Sequence, residues 1–387
     1  MPKPTAKIPI AKPYTDASEE EAVLRVLRSG WISQGAVGEA FEKAVAEFVG
    51  VPFARAVNSG TSAIHLALLA CGVRAGDDVV VPAFTCVATL HPVERIGARP
   101  VPADIGLETY AMDPDRAAAA VTPRTRAVIV VHPFGCCAPM DRFEDVLATH
   151  PVAVVEDAAL GLGGRIRGRN AGSWGRASTL SFHPRKMITT GEGGMVLTAD
   201  AGIDGSVSRL RNYGASVAAW KRHGNRLFDL PEYDGAGFNF KLSDLLAAVG
   251  LEQVKKLPDM LNRRRAIARR YHEALSGVPW LKPPSVPDGY DHAYQSYVCR
   301  LDGTDPDALE RVRSRLFLHL DGNAIAAVQA AQSRATVAYY RRTYGWAPGD
   351  FPNALLADRA GFALPIHPGL ATADQDRVID AVRSFHP

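Results

Sequence analysis

The sequence predicts an α/β protein, with a mainly parallel sheet flanked by helices and then a smaller C-terminal portion of mixed α and β character. Three observations carry this expectation. Short runs rich in β-branched residues recur at 79–81, 128–131 and 152–155, without the alternation of a sheet that has one wet face. Helical stretches at 63–71 and 141–148 separate them, and strand–helix repetition joins strands in parallel. After about residue 240 the pattern changes to long helical periodicity and then to a mixture. A chain of 387 residues exceeds what one small core organises. We therefore expect a large unit with an N-terminal arm at 1–245 and a small one at 246–387.

Residues 14–30 read as a helix, with Ser18 and Glu21 as a capping box and Ser29-Gly30 as its end. A second helix is expected at 39–49, and further strands at 179–182 and 195–198. Two helices are expected at 243–257 and 259–275. The second carries Arg263, Arg264, Arg265, Arg269 and Arg270, which read as a solvated face. A strand follows at 296–301, and Tyr339-Tyr340-Arg341-Arg342 should pack against and cap the small unit.

Hydrophobic residues form 47% of the chain and charged residues 22%, as in ordinary soluble proteins. The formal charge is only +3, which gives no electrostatic case for nucleic acid or an anionic membrane. No 18 apolar residues run together, so no membrane span is expected. The stretch 1–13 lacks an apolar run of signal-peptide length, and a cytoplasmic location is expected. Five cysteines without C-x-x-C spacing predict neither a disulfide framework nor a zinc site. His132 and His183 stand too far apart for a metal site. Gly161-Leu162-Gly163-Gly164 is no dinucleotide turn, because position 166 is Ile.

Three segments carry chemistry. Lys186 follows the strand ending near Phe182 and opens into Thr189-Thr190-Gly191-Glu192-Gly193-Gly194. Ligand sites in open parallel sheets lie at the carboxyl ends of strands, and a partly desolvated lysine there can form a Schiff base. Asp157 ends the run 152–155 in Glu156-Asp157-Ala158-Ala159, at the same sheet edge. A carboxylate there can keep the ring nitrogen of pyridoxal phosphate (PLP) protonated, although an Asp in that place can also cap a following helix. Asn58-Ser59-Gly60-Thr61-Ser62 leads into a helix, and small hydroxylated residues at a helix start make a phosphate seat. Lysine, aspartate and phosphate seat together point to PLP.

With these residues in place, the sequence resembles the DegT/DnrJ/EryC1/StrS group of PLP-dependent sugar aminotransferases. The likeness begins at Ile8-Pro9-Ile10-Ala11-Lys12-Pro13 and Ser29-Gly30-Trp31-Ile32-Ser33-Gln34-Gly35. It continues through Asn58 to Ser62, Val81-Pro82-Ala83-Phe84-Thr85, Val131-His132-Pro133-Phe134-Gly135 and Glu156 to Ala159. Ser181 to Gly194, Gly237-Phe238-Asn239-Phe240-Lys241-Leu242-Ser243-Asp244 and Leu364-Pro365-Ile366-His367-Pro368 complete it.

The resemblance implies PLP fold type I, with a seven-stranded, mainly parallel sheet and a smaller α+β C-terminal domain. It implies that Lys186 holds PLP and moves the proton, that Asp157 pairs with the ring nitrogen, and that His183 lies close to the lysine. Gly60, Thr61, Ser62 and Ser181 would hold the phosphate. Asn239 or Lys241 would reach it from the partner subunit of a homodimer. Trp31 and Ser33 would lie near the substrate. Lysine rather than histidine at 186 favours transamination, from glutamate or glutamine to a keto sugar, nucleotide-linked in this group.

Three positions depart from the group. Cys86 stands where an aromatic residue usually covers the PLP ring, so its sulfur or a repositioned Phe84 would do so. Leu160 replaces a usual Gln or His, and the segment 322–329 lacks the usual Arg and His. These departures leave open a cyclitol or other non-sugar acceptor, a PLP reaction other than transamination, or a PLP-binding regulatory protein.

Overall fold

The computed structural model describes residues 6–216, 231–233 and 235–387. Its largest sheet is built from β1 (Phe53–Val57), β2 (Asp78–Pro82), β4 (Arg99–Ala103), β5 (Thr125–Val131), β6 (Ala153–Asp157), β9 (Ala177–Ser181) and β10 (Gly194–Thr198). The spatial order is β1-β10-β9-β6-β5-β2-β4. β4, β2, β5, β6 and β9 are mutually parallel. β10 is antiparallel to both β9 and β1, so six strands point one way and β10 the other. The predicted mainly parallel sheet is therefore present. Its central strands are largely buried, because helices cover both faces. α3 (Gly60–Ala70) and α4 (Val87–Ile96) share one apolar cluster with the sheet, through Leu66, Leu68, Val79, Leu90 and Val155. α5 (Pro114–Ala119) and α6 (Met140–Leu147) contribute Ala117 and Phe143 to another, with Val80 and Val128. α7 (Ala201–Leu210) follows β10.

Two N-terminal helices, α1 (Ala17–Ser29) and α2 (Ala36–Val49), pack on α8 (Asp244–Leu275). A second, antiparallel sheet has the order β11 (Leu281–Lys282), β13 (Tyr297–Leu301), β16 (Gly361–Leu364), β14 (Val328–Gln329). α9 (Pro306–Gly322) and α12 (Thr372–Arg383) join Tyr271, Tyr297 and Phe362 in its core. Short strands β7 (Arg165–Ile166), β8 (Arg169–Asn170) and β12 (Tyr290–Asp291) form a small sheet in the order β12-β7-β8. β15 (Gln332–Ser333) pairs with β3 (Phe84–Thr85) in a separate two-stranded sheet, which ties the C-terminal part to the segment that follows β2. α10 (Ala338–Tyr344) and α11 (Pro352–Ala360) lie between β15 and β16 in the chain. Among the described residues, no helix is long and apolar enough to cross a membrane.

Several local expectations need correction. α1 is capped by Asp16, which accepts from the Ser18 N–H, while Glu19 accepts from the Asp16 N–H. Ser18 lies inside the helix, so the capping box sits two residues earlier than expected. α2 starts at Ala36 rather than 39. α8 is one helix of 32 residues running through Pro258. An interior proline costs about 3 kcal/mol. Burial of Leu257, Met260 and Leu261 against Phe41, Phe182 and Ile188 offsets that cost.

The arginine run is not wholly solvated. Arg264 is 2% exposed and donates to the carbonyls of Tyr294, Gln295 and Ile366, each at 3.1 Å. Burial holds its pKa down at about 10. Tyr340 also differs from expectation. It is fully buried in the cluster under the large sheet, stacked with Trp346, rather than capping the small unit.

Candidate active site

The carboxyl ends of β6 and β9 are neighbours, and each delivers a polar residue to one edge of the sheet. Asp157 is the last residue of β6 and is 5% exposed. No helix follows it, so it caps none. Instead Thr89 Oγ1 donates to Asp157 Oδ2 at 2.8 Å, and the Ala159 N–H donates to Oδ1 at 3.2 Å.

Its neighbour Glu156 points to the opposite face, as strand alternation requires. Glu156 is fully buried and accepts from His132 Nε2 at 2.7 Å, the N–H groups of Gly172, Trp174 and Gly175, and the Ser178 hydroxyl. His132 Nδ1 accepts from the Ala138 N–H at 3.0 Å, so Nε2 carries the ring proton. Burial works against the Glu156 charge, but these donors outweigh it and hold the pKa below the ordinary glutamate value. The end of β6 is thereby fixed from behind.

Lys186 lies in the loop that joins β9 to β10. Phe182 N–H donates to the Gly193 carbonyl at 2.9 Å and Thr190 N–H to the Phe182 carbonyl at 3.0 Å, which closes the loop. The Lys186 N–H donates to the His183 carbonyl at 2.8 Å. Desolvation draws the Lys186 pKa below the ordinary lysine value. Asp157 and Cys86 oppose that shift, and Arg185 adds to it. Lys186, Asp157 and Cys86 thus share one electrostatic neighbourhood, and the lysine is biased toward the neutral amine that bond formation needs. His183 stays half-buried, with Nδ1 accepting from the Arg185 N–H at 3.3 Å.

The expected phosphate seat is the start of α3. Ser59 caps it, accepting from the Ser62 N–H at 3.0 Å. Gly60 and Thr61 occupy the first turn, with Thr61 exposed. Gly60 faces the end of β9, where a Cβ on it would stand 2.7 Å from the Ser181 Cβ. Ser59 in turn abuts Gly194, where any side chain would run into the Ser59 carbonyl. Gly60, Ser62 and Ser181 are therefore brought together at a helix N-terminus that favours anions.

Asn239 and Lys241 flank Phe240, whose carbonyl accepts from the Asn58 N–H at 2.8 Å. Asn239 is exposed, and Lys241 Nζ lies 4.2 Å from the Tyr213 ring centroid. Trp31 lines a separate cavity of about 530 Å³ walled by Ala22, Val26, Gly35, Asp244 and Glu252. None of the residues around Lys186 is among its walls. Ser33 is exposed, and its carbonyl accepts from the Asp244 N–H at 3.0 Å.

Cys86 is exposed at the N-cap of α4. Phe84 does not take over the missing aromatic position. It is buried among Tyr110 and Phe134, with ring centroids 5.9 and 6.4 Å away. Leu160 packs against that cluster. Sequence reading missed Thr85 and Thr89. Their spacing of four residues was visible, but their partner Asp157 lies 68 residues beyond Thr89.

This donor set fits PLP: a desolvated lysine, a fixed carboxylate, and a helix start where Gly60 meets Ser181 and Ser62 shares the first turn. Comparison with known proteins agrees. Residues 13–383 match the DegT/DnrJ/EryC1/StrS aminotransferase family. The chain is 37% identical over 379 residues to the spore coat polysaccharide biosynthesis protein SpsC of Bacillus subtilis, covering 98% of this chain and 97% of that protein. It superposes on DesV of S. venezuelae with a TM-score of 0.85 at 32% identity, covering 98% of each chain. The PLP form of the putative sugar aminotransferase Spr1654 from Streptococcus pneumoniae gives a TM-score of 0.89 at 25% identity, again over 98% of each chain. The chain belongs to the DegT/DnrJ/EryC1/StrS family and is a pyridoxal-phosphate-dependent aminotransferase.

Proposed function

We propose that the enzyme moves an amino group from glutamate or glutamine to the carbonyl of a nucleotide-linked keto sugar. The observation that carries this reading is the meeting of Lys186, Asp157 and the Gly60–Ser181 seat at one sheet edge, within a chain similar end to end to SpsC. When bound, PLP supplies a ring that delocalises the electron pair released at the donor's Cα. Lys186 Nζ would hold the cofactor and would take up the proton that leaves the donor's Cα. Asp157 pairs with the ring nitrogen, and Gly60, Thr61, Ser62 and Ser181 hold the phosphate. His183 lines the lysine loop, and Cys86 offers the ring a polarizable sulfur. Trp31 and Ser33 would reach the acceptor only from outside the Lys186 site of their own subunit, because Trp31 lines a separate cavity.

The reading carries a homodimer in which Asn239 or Lys241 of one subunit reaches the phosphate bound to the other. It carries a division near residue 245 and a cytoplasmic location, which the five free thiols suit. The test is a two-step absorbance assay on the purified holoenzyme. Glutamate should convert a band near roughly 420 nm to one near roughly 330 nm with release of 2-oxoglutarate, and a keto sugar should reverse the change. Reversal by cyclitol ketones but by no nucleotide-linked or free keto sugar would overturn the acceptor assignment.

A further inference from the structure

Three side chains beneath the cofactor site form a chain of hydroxyls ending on a carboxylate. Thr85 Oγ1 and Thr89 Oγ1 are 2.9 Å apart, and Thr89 Oγ1 is 2.8 Å from Asp157 Oδ2. All three residues are buried, Thr89 completely. A hydroxyl has one proton to donate, and an ionised carboxylate can only accept. Thr89 therefore gives its proton to Asp157, and Thr85 must give its own to Thr89. The direction of the whole chain is fixed by its last member.

The backbone holds both threonines in register. Thr85 lies in β3, which pairs with β15 through Gln332. Thr89 lies in the first turn of α4, its N–H bonded to the Cys86 carbonyl at 3.1 Å. Charge-assisted hydrogen bonds are about twice as strong as neutral ones, and a chain of them polarises each member.

We propose that Thr89, supported by Thr85, is a positioning residue that keeps the Asp157 carboxylate ionised and oriented, so that the proton it shares with the PLP ring nitrogen stays on the ring. This rests on the reading of Asp157 given above. Without the Thr89 donor, Asp157 is the stronger base and draws that proton toward itself. The ring then withdraws electrons less well, although the lysine, the phosphate seat and the acceptor pocket are untouched. Thr89 touches Asp157, not the cofactor, so the effect reaches the ring only through that carboxylate.

The test uses PLP-loaded Thr89→Val, Thr89→Ser, Thr85→Val and Asp157→Asn proteins. The primary readout is the pH titration of the visible cofactor band, and PLP affinity and the glutamate half-reaction are measured alongside. Thr89→Val should move the titration midpoint upward by about one pH unit and slow the half-reaction about tenfold or more. Its PLP affinity should stay within about threefold, since the phosphate contacts are intact. Thr89→Ser should restore wild-type behaviour within about twofold, and Thr85→Val should give a smaller shift of the same sign. If Thr89→Val titrates like the wild type while Asp157→Asn does not, the proposal is overturned and Thr89 only packs. If Asp157→Asn also titrates like the wild type, the assignment of Asp157 itself fails.

Discussion

Gly60 and Ser181 approach so closely that a Cβ on the glycine would lie 2.7 Å from the serine Cβ and 3.2 Å from its hydroxyl oxygen. Ordinary carbon contacts are about 3.5–4.0 Å, and the nearest obstacle is a Cβ that cannot swing away. Gly60→Ala must therefore push the start of α3 away from the end of β9. We expect PLP affinity to fall at least about tenfold, with a stability cost of about 1–3 kcal/mol. Fluorescence titration of the apoprotein with PLP measures the first quantity and urea unfolding the second. Unchanged PLP affinity would remove this junction from the phosphate seat.

Cys86 should be the fast thiol of the native enzyme. It is exposed, whereas Cys71, Cys136, Cys137 and Cys299 are buried, and burial raises the pKa of each. Cys86 also acts electrostatically on Lys186. A maleimide reagent should label about one thiol per chain quickly, with peptide mapping placing it at Cys86. Loading with PLP should slow that labelling. Equal labelling rates with and without PLP would place Cys86 outside the cofactor's shadow.

Buried histidines should make the fold sensitive to mild acid. His292 is 5% exposed. Burial, with Arg265 nearby, brings its pKa down to about 3 from the usual 6.5. His367 is lowered in the same direction to about 4, by burial and then by Arg264 and Lys12, with Asp374 opposing. Each binds its proton more readily in the unfolded chain than in the native one. Their contribution to stability is complete above about pH 6.5 and is lost as pH falls toward about 4 and about 3. His292 alone should cost about 1.4 kcal/mol for each pH unit below that point. Urea midpoints at pH 7.5, 6.0 and 5.0 measure this. His367→Leu should flatten the slope, since neither ring nitrogen of His367 has a hydrogen-bond partner to lose.

Much of the fold was legible because a parallel sheet buried on both faces spells its strands as unbroken apolar runs. Such runs announced β2, β5 and β6. The candidate site was legible where residue type and strand end coincide, as at Asp157, and where a short loop follows a strand, as at Lys186 and Ser59-Gly60. Other features depend on partners distant in sequence. Pro258 marks a break by local rules, yet α8 continues because its flanking residues are buried on α2 and the lysine loop. Arg264 reads as one of a solvated run, and only the three carbonyls of Tyr294, Gln295 and Ile366 explain its burial. Thr89 has no local signature at all. Its meaning comes from Asp157.

Lys186 should be the residue that holds PLP. Borohydride reduction of the holoenzyme fixes the cofactor to whichever amine holds it, and peptide mapping by mass spectrometry then locates it. The cofactor-derived mass should lie on the peptide containing Lys186, and Lys186→Ala should lose the visible band. Finding that mass on another lysine, such as Lys241, whose pKa burial also lowers, would contradict it. So would finding it on none.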